Sequence, residues 1–177
     1  IGCKVTGRYG NKGVVSQIIK DEEAPISKDG VRADIILNSL GVVNRINPSQ
    51  LQEQTINFMS DHVLSIMKTL PEQDKLDYLL SYLKYVDKDE YEFLEGETIT
   101  MNRAQKEDLV KEIEENGINV HQAPFFGVCT MDTFKKIQRE HPEWLSKYEC
   151  TVNNNKIERP LVIGDIYFIR LVISLTV

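Results

Sequence analysis

A helical repeat of apolar residues fills the middle of the chain and constrains its fold more than any other feature. From Asn47 onwards, apolar residues recur every three or four positions, which is the period of an amphipathic helix. Asn47 can cap this helix, and Pro48 suits its first turn. The stripe consists of Leu51, Thr55, Phe58, Met59, Val63, Ile66, Met67 and Leu70. It predicts a helix with one face in the core rather than a cofactor site.

Three further helices are predicted after this one. The second begins at Pro71 and places its leucines on one face. The third runs from about Arg103 to Asn116, after an Asn-x-x-Gln capping box and before Gly117, a residue type typical of left-handed helix ends. A short fourth helix covers residues 131–140 approximately. The middle of the chain is therefore expected to be mainly helical.

Segments rich in β-branched residues lie before and after the first three helices. Their composition predicts strands at 13–20, 31–38, 118–122 and 161–175, and a hairpin turn at Asn153-Asn154-Asn155. The segment 21–30 has the composition of a loop. Because the strands at either end of the chain are too few to close a core separately, we expect them to join into one sheet or small barrel.

The predicted fold class is α+β, with a β portion interrupted by a helical insertion. Residues 1–46 and 150–177 are expected to form the β portion. Residues 47–149 are expected to form a mainly helical insertion with short strands. A chain of 177 residues is long enough for one domain of this kind.

Charge is distributed unevenly along the chain. The formal net charge is -6, but residues 47–116 contain seven Lys and Arg against sixteen Asp and Glu, a net charge of -9. Residues 1–46 carry +2 and residues 117–177 carry +1. The acidic balance therefore belongs to the helical middle, and it does not exclude an anionic ligand at either end of the chain.

Other features exclude several classes of protein. The most apolar stretch, 161–177, is interrupted by Asp165 and Arg170 and is too polar for a membrane span. The three cysteines are far apart and form no CxxC motif, which argues against a disulfide framework or a zinc site and favours a reducing cytoplasm. The three histidines form no HExxH motif, so they are expected to be packed or surface residues.

Glycines and cations are concentrated around the sequence GRYGNKG at residues 7–13. Lys4, Arg8, Lys12 and Lys20 all precede the first acidic residue of the chain. A P-loop would require GxxxxGK followed by Ser or Thr, and this sequence does not meet that requirement. Composition leaves two alternatives, a loop that binds an anion and a glycine-rich turn whose cations are solvated.

Two segments together resemble the second-largest, or β, subunit of multisubunit DNA-dependent RNA polymerases. The family carries a GDK-hydrophobe-x-GRHGNKGV-hydrophobe-S segment, and residues 2–16 read GCKVTGRYGNKGVVS. The family continues with a run similar to VDIVLNPLGVPSRMNIGQ, and residues 34–50 read DIILNSLGVVNRINPSQ. A weaker match to a GYMYxLKL strand lies at 164–171, which reads GDIYFIRL. The order and spacing of the two long motifs make the resemblance specific.

The resemblance implies a double-psi β-barrel, formed by the N- and C-terminal strand segments and located in a polymerase active centre. Lys4 and Lys12 match lysines that face the RNA 3′ end and the phosphates of the incoming nucleotide. Arg45 matches an arginine that reaches the triphosphate. Arg8 and Asn11 are expected to bind nucleic acid or phosphate, and Arg8 can alternatively support the loop. Such cations suit phosphoryl transfer, which asks the protein mainly to position groups and neutralise charge.

The resemblance also implies what the chain does not supply. In the family, Mg²⁺ is held by a NADFDGD motif of the largest subunit, and no such motif occurs here. The lone DxD at Asp87-Lys88-Asp89 is expected to be solvated, so no metal or other cofactor is expected on this chain. The implied partners are the largest (β′-type) subunit, the remaining β segments, template DNA, product RNA and nucleoside triphosphates, and no membrane. Nucleotidyltransferase activity is expected of the assembly and not of the isolated chain.

Departures from the family pattern, such as Cys3 for Asp and Tyr9 for His, indicate a divergent polymerase, of phage type or otherwise atypical, or a decayed gene copy. The chain is expected to be a fragment or split part of a β subunit in a bacterial or phage-infected cell. One alternative is a non-catalytic module that binds polymerase subunits through its acidic helical insertion. Another is a stand-alone nucleic-acid binder, whose affinity would fall with salt.

Overall fold

The computed structural model describes residues 1–45, 47–121 and 129–171, apart from the side chains of Val43 and Arg45. The chain divides into two compact units, one made of residues 1–54 and 147–177 and the other of residues 55–146. All the strands of the described residues lie in the first unit.

The first sheet of this unit joins strands from both ends of the chain. It consists of β1 (Lys4–Thr6), β2 (Gly13–Val14) and, later in the chain, β6 (Ile169–Leu171). β1 lies in the centre and pairs antiparallel with both neighbours, so that Lys4 lies opposite Val14 on one side and Leu171 on the other.

The second sheet also joins the two ends. It consists of β3 (Ile26–Ser27), β4 (Cys150–Val152) and β5 (Asn155–Lys156), with β4 in the centre and all pairings antiparallel. Asn153 and Asn154 form the turn between β4 and β5 with φ of 48° and 62°, angles that asparagine tolerates better than most residues. The predicted hairpin is confirmed.

Most strands are shorter than predicted, and the reason is a lack of pairing partners. The predicted strand 13–20 pairs only at its start, and 31–38 makes a single bridge at Arg32. Residues 118–121 are not a strand, and residues 122 and 172–175 of two predicted strands lie outside the described residues. Conversely, β3 lies in the segment predicted as a loop. β propensity favours a pleated, half-buried environment, and these residues find few neighbours that provide one.

Among the described residues, the pairings make two separate three-stranded sheets in a mixed fold of helices and strands. The double-psi barrel stays a prediction.

The helices account for most of the second unit. The helices are α1 (Ser39–Arg45), which lies in the first unit, α2 (Pro48–Met67), which begins in the first unit and continues into the second, and four of the second unit, α3 (Glu72–Val86), α4 (Lys88–Thr100), α5 (Arg103–Asn116) and α6 (Met131–Glu140). The predictions for α2, α3, α5 and α6 are confirmed, whereas α1 and α4 were not predicted. Within the described ranges, no helix is long and apolar enough to cross a membrane.

The ends of α5 follow the sequence signals closely. Asn102 and Gln105 form the predicted reciprocal capping box at its start. At its end, Gly117 has φ of 84° and ψ of 171°. The positive φ explains the glycine, but the extended ψ shows that the predicted left-handed helical conformation is wrong.

The core of the second unit is formed by apolar side chains of α2, α3 and α6 together with the 3-10 turn Pro142–Leu145. The largest fully buried ones are Trp144, Tyr82, Phe58, Ile56, Met59, Met67, Leu79, Leu83, Ile137, Val63 and Val86. The Tyr82 hydroxyl is satisfied inside this core by Ser60 Oγ at 2.8 Å and by the Ile56 carbonyl at 3.2 Å. Burial raises the pKa of Tyr82, so the phenol stays protonated.

Asp87 connects three backbone segments of the second unit, and the expectation that it is solvated is wrong. Asp87 is buried, and its carboxylate accepts hydrogen bonds from two backbone N–H groups, which replace the water that it loses. Its Oδ1 accepts from Glu90 N at 3.1 Å, which caps α4, and its Oδ2 accepts from His121 N at 2.7 Å. Asp89, two residues later, is exposed.

Replacing Asp87 with alanine is therefore expected to destabilise the chain by about 2–3 kcal/mol, since it removes a helix cap and leaves the His121 N–H without its acceptor. Urea unfolding followed by far-UV circular dichroism measures the effect. Asp89→Ala, an exposed acid of the same motif, is the control and is expected to change the unfolding free energy by less than about 0.5 kcal/mol. Equal effects of the two substitutions would contradict the capping role.

Candidate nucleic-acid interface

The glycine-rich segment is a loop at the end of a β-hairpin. Strands β1 and β2 pair antiparallel, and residues 7–12 connect them. The backbone extends the pairing on the side away from the loop, where Val15 N donates to Cys3 O at 3.0 Å and Gly2 N donates to Val15 O at 2.8 Å. The hairpin therefore supports the loop that carries the predicted site residues Arg8, Asn11 and Lys12.

Asn11 closes this loop from inside. Its Oδ1 accepts a hydrogen bond from Gly7 N at 3.1 Å. A Cβ atom at Gly7 would lie 2.7 Å from the same Oδ1, so the closure requires glycine at that position. Gly10, with φ of 68°, makes the left-handed turn at the other side of the loop. Asn11 was predicted to bind nucleic acid or phosphate, and its carbonyl oxygen is used within the loop.

Tyr9 anchors the loop to the rest of the first unit. Its side chain is buried, and its carbonyl accepts from Asn47 Nδ2 at 2.8 Å. Burial and the nearby Glu53 carboxylate raise the pKa of the Tyr9 phenol. Asn47 lies immediately before α2, so the start of this helix holds the middle of the loop.

Arg8 is held by a carboxylate and an aromatic ring. Its Nε lies 3.8 Å from Glu53 Oε1, and its Cζ lies 4.8 Å from the centre of the Tyr167 ring. Tyr167 N donates to the same Glu53 oxygen at 3.5 Å. Burial raises the pKa of Glu53, against the opposing effects of the Tyr167 N–H and of Arg8. This environment agrees with the alternative that Arg8 supports the loop.

The two predicted phosphate-binding lysines are both exposed and both belong to the hairpin. Lys4 lies on β1 opposite Val14, and Lys12 lies two residues before Val14. Lys4 is thus on a strand of the hairpin and Lys12 is at the end of its loop, directly before the other strand. Arg45 is the last residue of α1, and its side chain lies outside the described part of the structure.

A groove of about 560 Å³ lies in the same unit. Residues 32–37 form one part of its lining and residues 161–166 another, with Leu51 and Gln54 of α2 between them in the sequence. Ile35 and Ile36 in its lining are 57% and 59% exposed. The lining is therefore mostly apolar, and its charged side chains are those of Arg32, Asp34 and Asp165.

Across residues 1–45, 47–121 and 129–171, no three His, Cys, Asp or Glu side chains are grouped closely enough to hold a metal ion.

Two residues of this site, Glu53 and Tyr167, were not predicted from the sequence. Glu53 lies within the predicted α2 helix, next to the apolar stripe, and Tyr167 lies in a segment predicted only as a strand. No sequence signal identifies this ion pair, because the burial of Glu53 and its distance to Arg8 come only from the structure.

Comparisons with known proteins agree with the motifs. A family model described as RNA polymerase Rpb2, domain 6, matches residues 1–173. The DNA-directed RNA polymerase subunit beta of Desulfotalea psychrophila is 35% identical over 100 residues, covering 55% of this chain and 7% of the relative. The subunit beta of Rickettsia canadensis is 28% identical over 177 residues, covering 96% of this chain and 12% of the relative. That of Cytophaga hutchinsonii is 51% identical over 53 residues, covering 30% and 4%.

The chain thus spans a small part of the length of these curated relatives, but the family model accounts for nearly all of the chain itself. The region of strongest motif similarity is the hairpin loop and the segment that leads into α2. The chain belongs to the family of RNA polymerase Rpb2, domain 6.

Proposed function

We propose that the chain works within a DNA-directed RNA polymerase, where its hairpin loop forms the wall of the active centre that holds the RNA 3′ end and the phosphates of the incoming nucleotide. The observation that carries the proposal is the exposure of Lys4 and Lys12 on one hairpin, whose loop is closed by the hydrogen bond between Gly7 and Asn11. Lysine ammonium groups act as point charges toward phosphate oxygens. Two of them on a fixed support can neutralise charge without rearranging during the reaction.

Arg8, Asn11 and Arg45 have different parts in this proposal. Arg8 fixes the loop through Glu53, and its exposed side chain keeps donors that could contact nucleic-acid backbone in the assembled enzyme. Asn11 fixes the loop through Gly7, and because its Nδ2 is buried, its proposed part is to shape the loop that meets the nucleic acid. Arg45 is proposed to grip the triphosphate, because a guanidinium can bind two oxygens at once.

We further propose that the first unit contributes to a double-psi β-barrel whose other strands come from the remaining β segments. Two observations support this. Both sheets pair a strand from the start of the chain with one from its end. In addition, no backbone hydrogen bond joins Ile35 or Ile36 to another described residue, although both are β-branched. Unpaired β-prone backbone of this kind suits the addition of strands.

The largest subunit is proposed as the partner that holds Mg²⁺, in the cytoplasm of a bacterial or phage-infected cell. Mg²⁺ bound there would supply positive charge beside the reacting phosphates. The residues of this chain would position the RNA end and the nucleotide, and they would contribute no ligand to the metal. On this proposal the isolated chain has no nucleotidyltransferase activity.

Chemical footprinting of lysines in the assembled polymerase tests this function. We expect an RNA–DNA scaffold with a matched nucleoside triphosphate to protect Lys4 and Lys12 from acetylation, measured by mass spectrometry of peptides, because bound phosphates would cover both ammonium groups. Lys20, an exposed lysine of the same unit, is the control and should be acetylated at an unchanged rate. Equal acetylation of Lys4 and Lys12 with and without the scaffold and nucleotide would contradict the proposal.

A second candidate function is a non-catalytic module that binds polymerase subunits through the acidic helices. The observation that favours it is the outer surface of α4, where Phe93 and Ile99 are 57% and 81% exposed. Glu92 and Glu97 on the same helix are exposed as well. Apolar side chains within an acidic surface suit a basic partner with apolar anchors. Tight binding to an intact polymerase without any support of RNA synthesis would favour this function over the first.

A further inference from the structure

A buried carboxylate lies beside the proposed phosphate-binding loop and takes no part in the proposed chemistry. Glu53 is 9% exposed. Its Oε1 has two neighbours at long distances, Arg8 Nε at 3.8 Å and Tyr167 N at 3.5 Å. Its Oε2 is buried and has no hydrogen-bond partner among the described residues. The carboxylate therefore loses its hydrogen bonds to water, and contacts with the protein replace only some of them.

Stability of the fold does not explain a charge at this position. Glutamine has the shape of glutamate, and burying its neutral amide costs less desolvation free energy than burying a carboxylate. The raised pKa of Glu53 has the same origin, because burial disfavours the ionised form. A charge that is unfavourable for folding is better explained by its effect on a neighbouring charged group.

Arg8 is that neighbour, and it lies in the loop itself. Its guanidinium is placed between the Glu53 carboxylate and the Tyr167 ring, which restricts the directions in which the side chain can point. The next residue, Tyr9, is held through its carbonyl by Asn47. The start of α2 thus fixes the first half of the loop at two consecutive residues.

The second half of the loop depends on the first. Asn11 is bonded to Gly7, directly before Arg8, and Lys12 follows Asn11. A shift of Arg8 would move Gly7, and with it the acceptor geometry of Asn11 and the direction of Lys12. Displacement of a charged group by even about 1 Å can change a reaction rate by roughly two orders of magnitude.

We propose that Glu53 is a positioning residue, which holds Arg8 against Tyr167 and thereby sets the loop 7–12 so that Lys12 faces the phosphates. This inference rests on the proposed function of the loop. It assigns to Glu53 no contact with the substrate.

Glu53→Gln in the assembled polymerase tests the inference through two measurements, the KM for the nucleotide and the thermal stability of the chain. We expect the KM for the nucleoside triphosphate to rise roughly 10- to 100-fold, because the loop 7–12 is no longer held in the position in which Lys12 faces the phosphates. We expect the midpoint of thermal unfolding of the chain to be unchanged or higher, because a poorly compensated charge is removed. Glu158→Gln, an exposed glutamate of the same unit, is the matched control and should change neither quantity.

Two further variants separate the possible outcomes. Arg8→Gln should raise the KM at least as much, and the double variant should show clearly less than the combined effect of the two substitutions, since both break the same contact. An unchanged KM in Glu53→Gln or in Arg8→Gln, or fully additive effects of the two, would overturn the positioning role. Lys12→Ala without effect in the same polymerase would instead show that the function proposed for the loop is wrong, whatever Glu53→Gln does.

Discussion

Lys12→Ala in the assembled polymerase is expected to lower kcat/KM for nucleotide addition by roughly 10²- to 10³-fold, about 3–4 kcal/mol of transition-state stabilisation. In phosphoryl transfer, the protein stabilises charge on the transferred group by placing fixed cations around it. Lys12 is exposed on a loop that Asn11 and Gly7 close from inside. Removing its ammonium group therefore removes a positioned charge.

Single-nucleotide addition on a defined RNA–DNA scaffold, over a range of nucleoside triphosphate concentrations, measures this effect. Lys20→Ala removes one positive charge from the same segment outside the loop, and it is expected to change kcat/KM by less than twofold or so, because exposed charges farther away are screened by solvent and salt. Lys12→Arg should recover part of the activity, since it restores the charge with a different geometry. An unaltered kcat/KM in the Lys12→Ala enzyme would show that the loop does not belong to the active centre.

The hairpin loop could be predicted from the sequence because its determinants are local. The glycines, the cations and the following β-branched residues all lie within the first twenty residues, and the family motif occupies the same stretch. What the sequence could not provide is the environment of Arg8. Its two partners are Glu53 and Tyr167, and the second lies more than 150 residues away along the chain. Long-range ion pairs of this kind have no periodic signal.

The helices show the same distinction between local and long-range determinants. Helices α2, α3, α5 and α6 carry apolar stripes or capping signals, and these are sufficient to predict them. Helix α4 buries only Leu94 and Thr98, so its sequence has almost no helical stripe. Its start is determined by the carboxylate of Asp87, which also accepts from His121 N. The acidic segment that was expected to be solvated therefore contains Asp87, the residue that ends α3 and caps the start of α4.

The strands were over-predicted for a related reason. Propensity indicates which residues suit a sheet, but pairing decides which of them form one. Ile35 and Ile36 have strong β propensity and no strand neighbour among the described residues. In the proposed assembly, they would receive that neighbour from another polypeptide segment. The proposed function within an assembly would thus explain why these two β-branched residues are exposed in the chain.

Trp144→Ala is expected to have the largest effect on folding, a loss of about 3–5 kcal/mol from the unfolding free energy. Trp144 is completely buried in the second unit. Its ring stacks on His141, with ring centres 3.9 Å apart, and meets the ring of Tyr82 edge-on at 5.3 Å. Its Nε1 donates to the Tyr78 hydroxyl at 2.8 Å. Alanine would leave a cavity between these rings and an unsatisfied hydroxyl at its edge.

Urea unfolding of the full chain, followed by far-UV circular dichroism, measures this loss, and a decrease of 3–5 kcal/mol corresponds to a midpoint lower by about 2 M. Trp144→Phe separates the two contributions, because it keeps most of the ring volume and loses the hydrogen bond to Tyr78. It is expected to cost about 1–2 kcal/mol. If Trp144→Phe were as destabilising as Trp144→Ala, the hydrogen bond would be the main contribution and the packing of the three rings a minor one. If both were neutral, Trp144 would not belong to the core, and the 3-10 turn Pro142–Leu145 would not close the second unit.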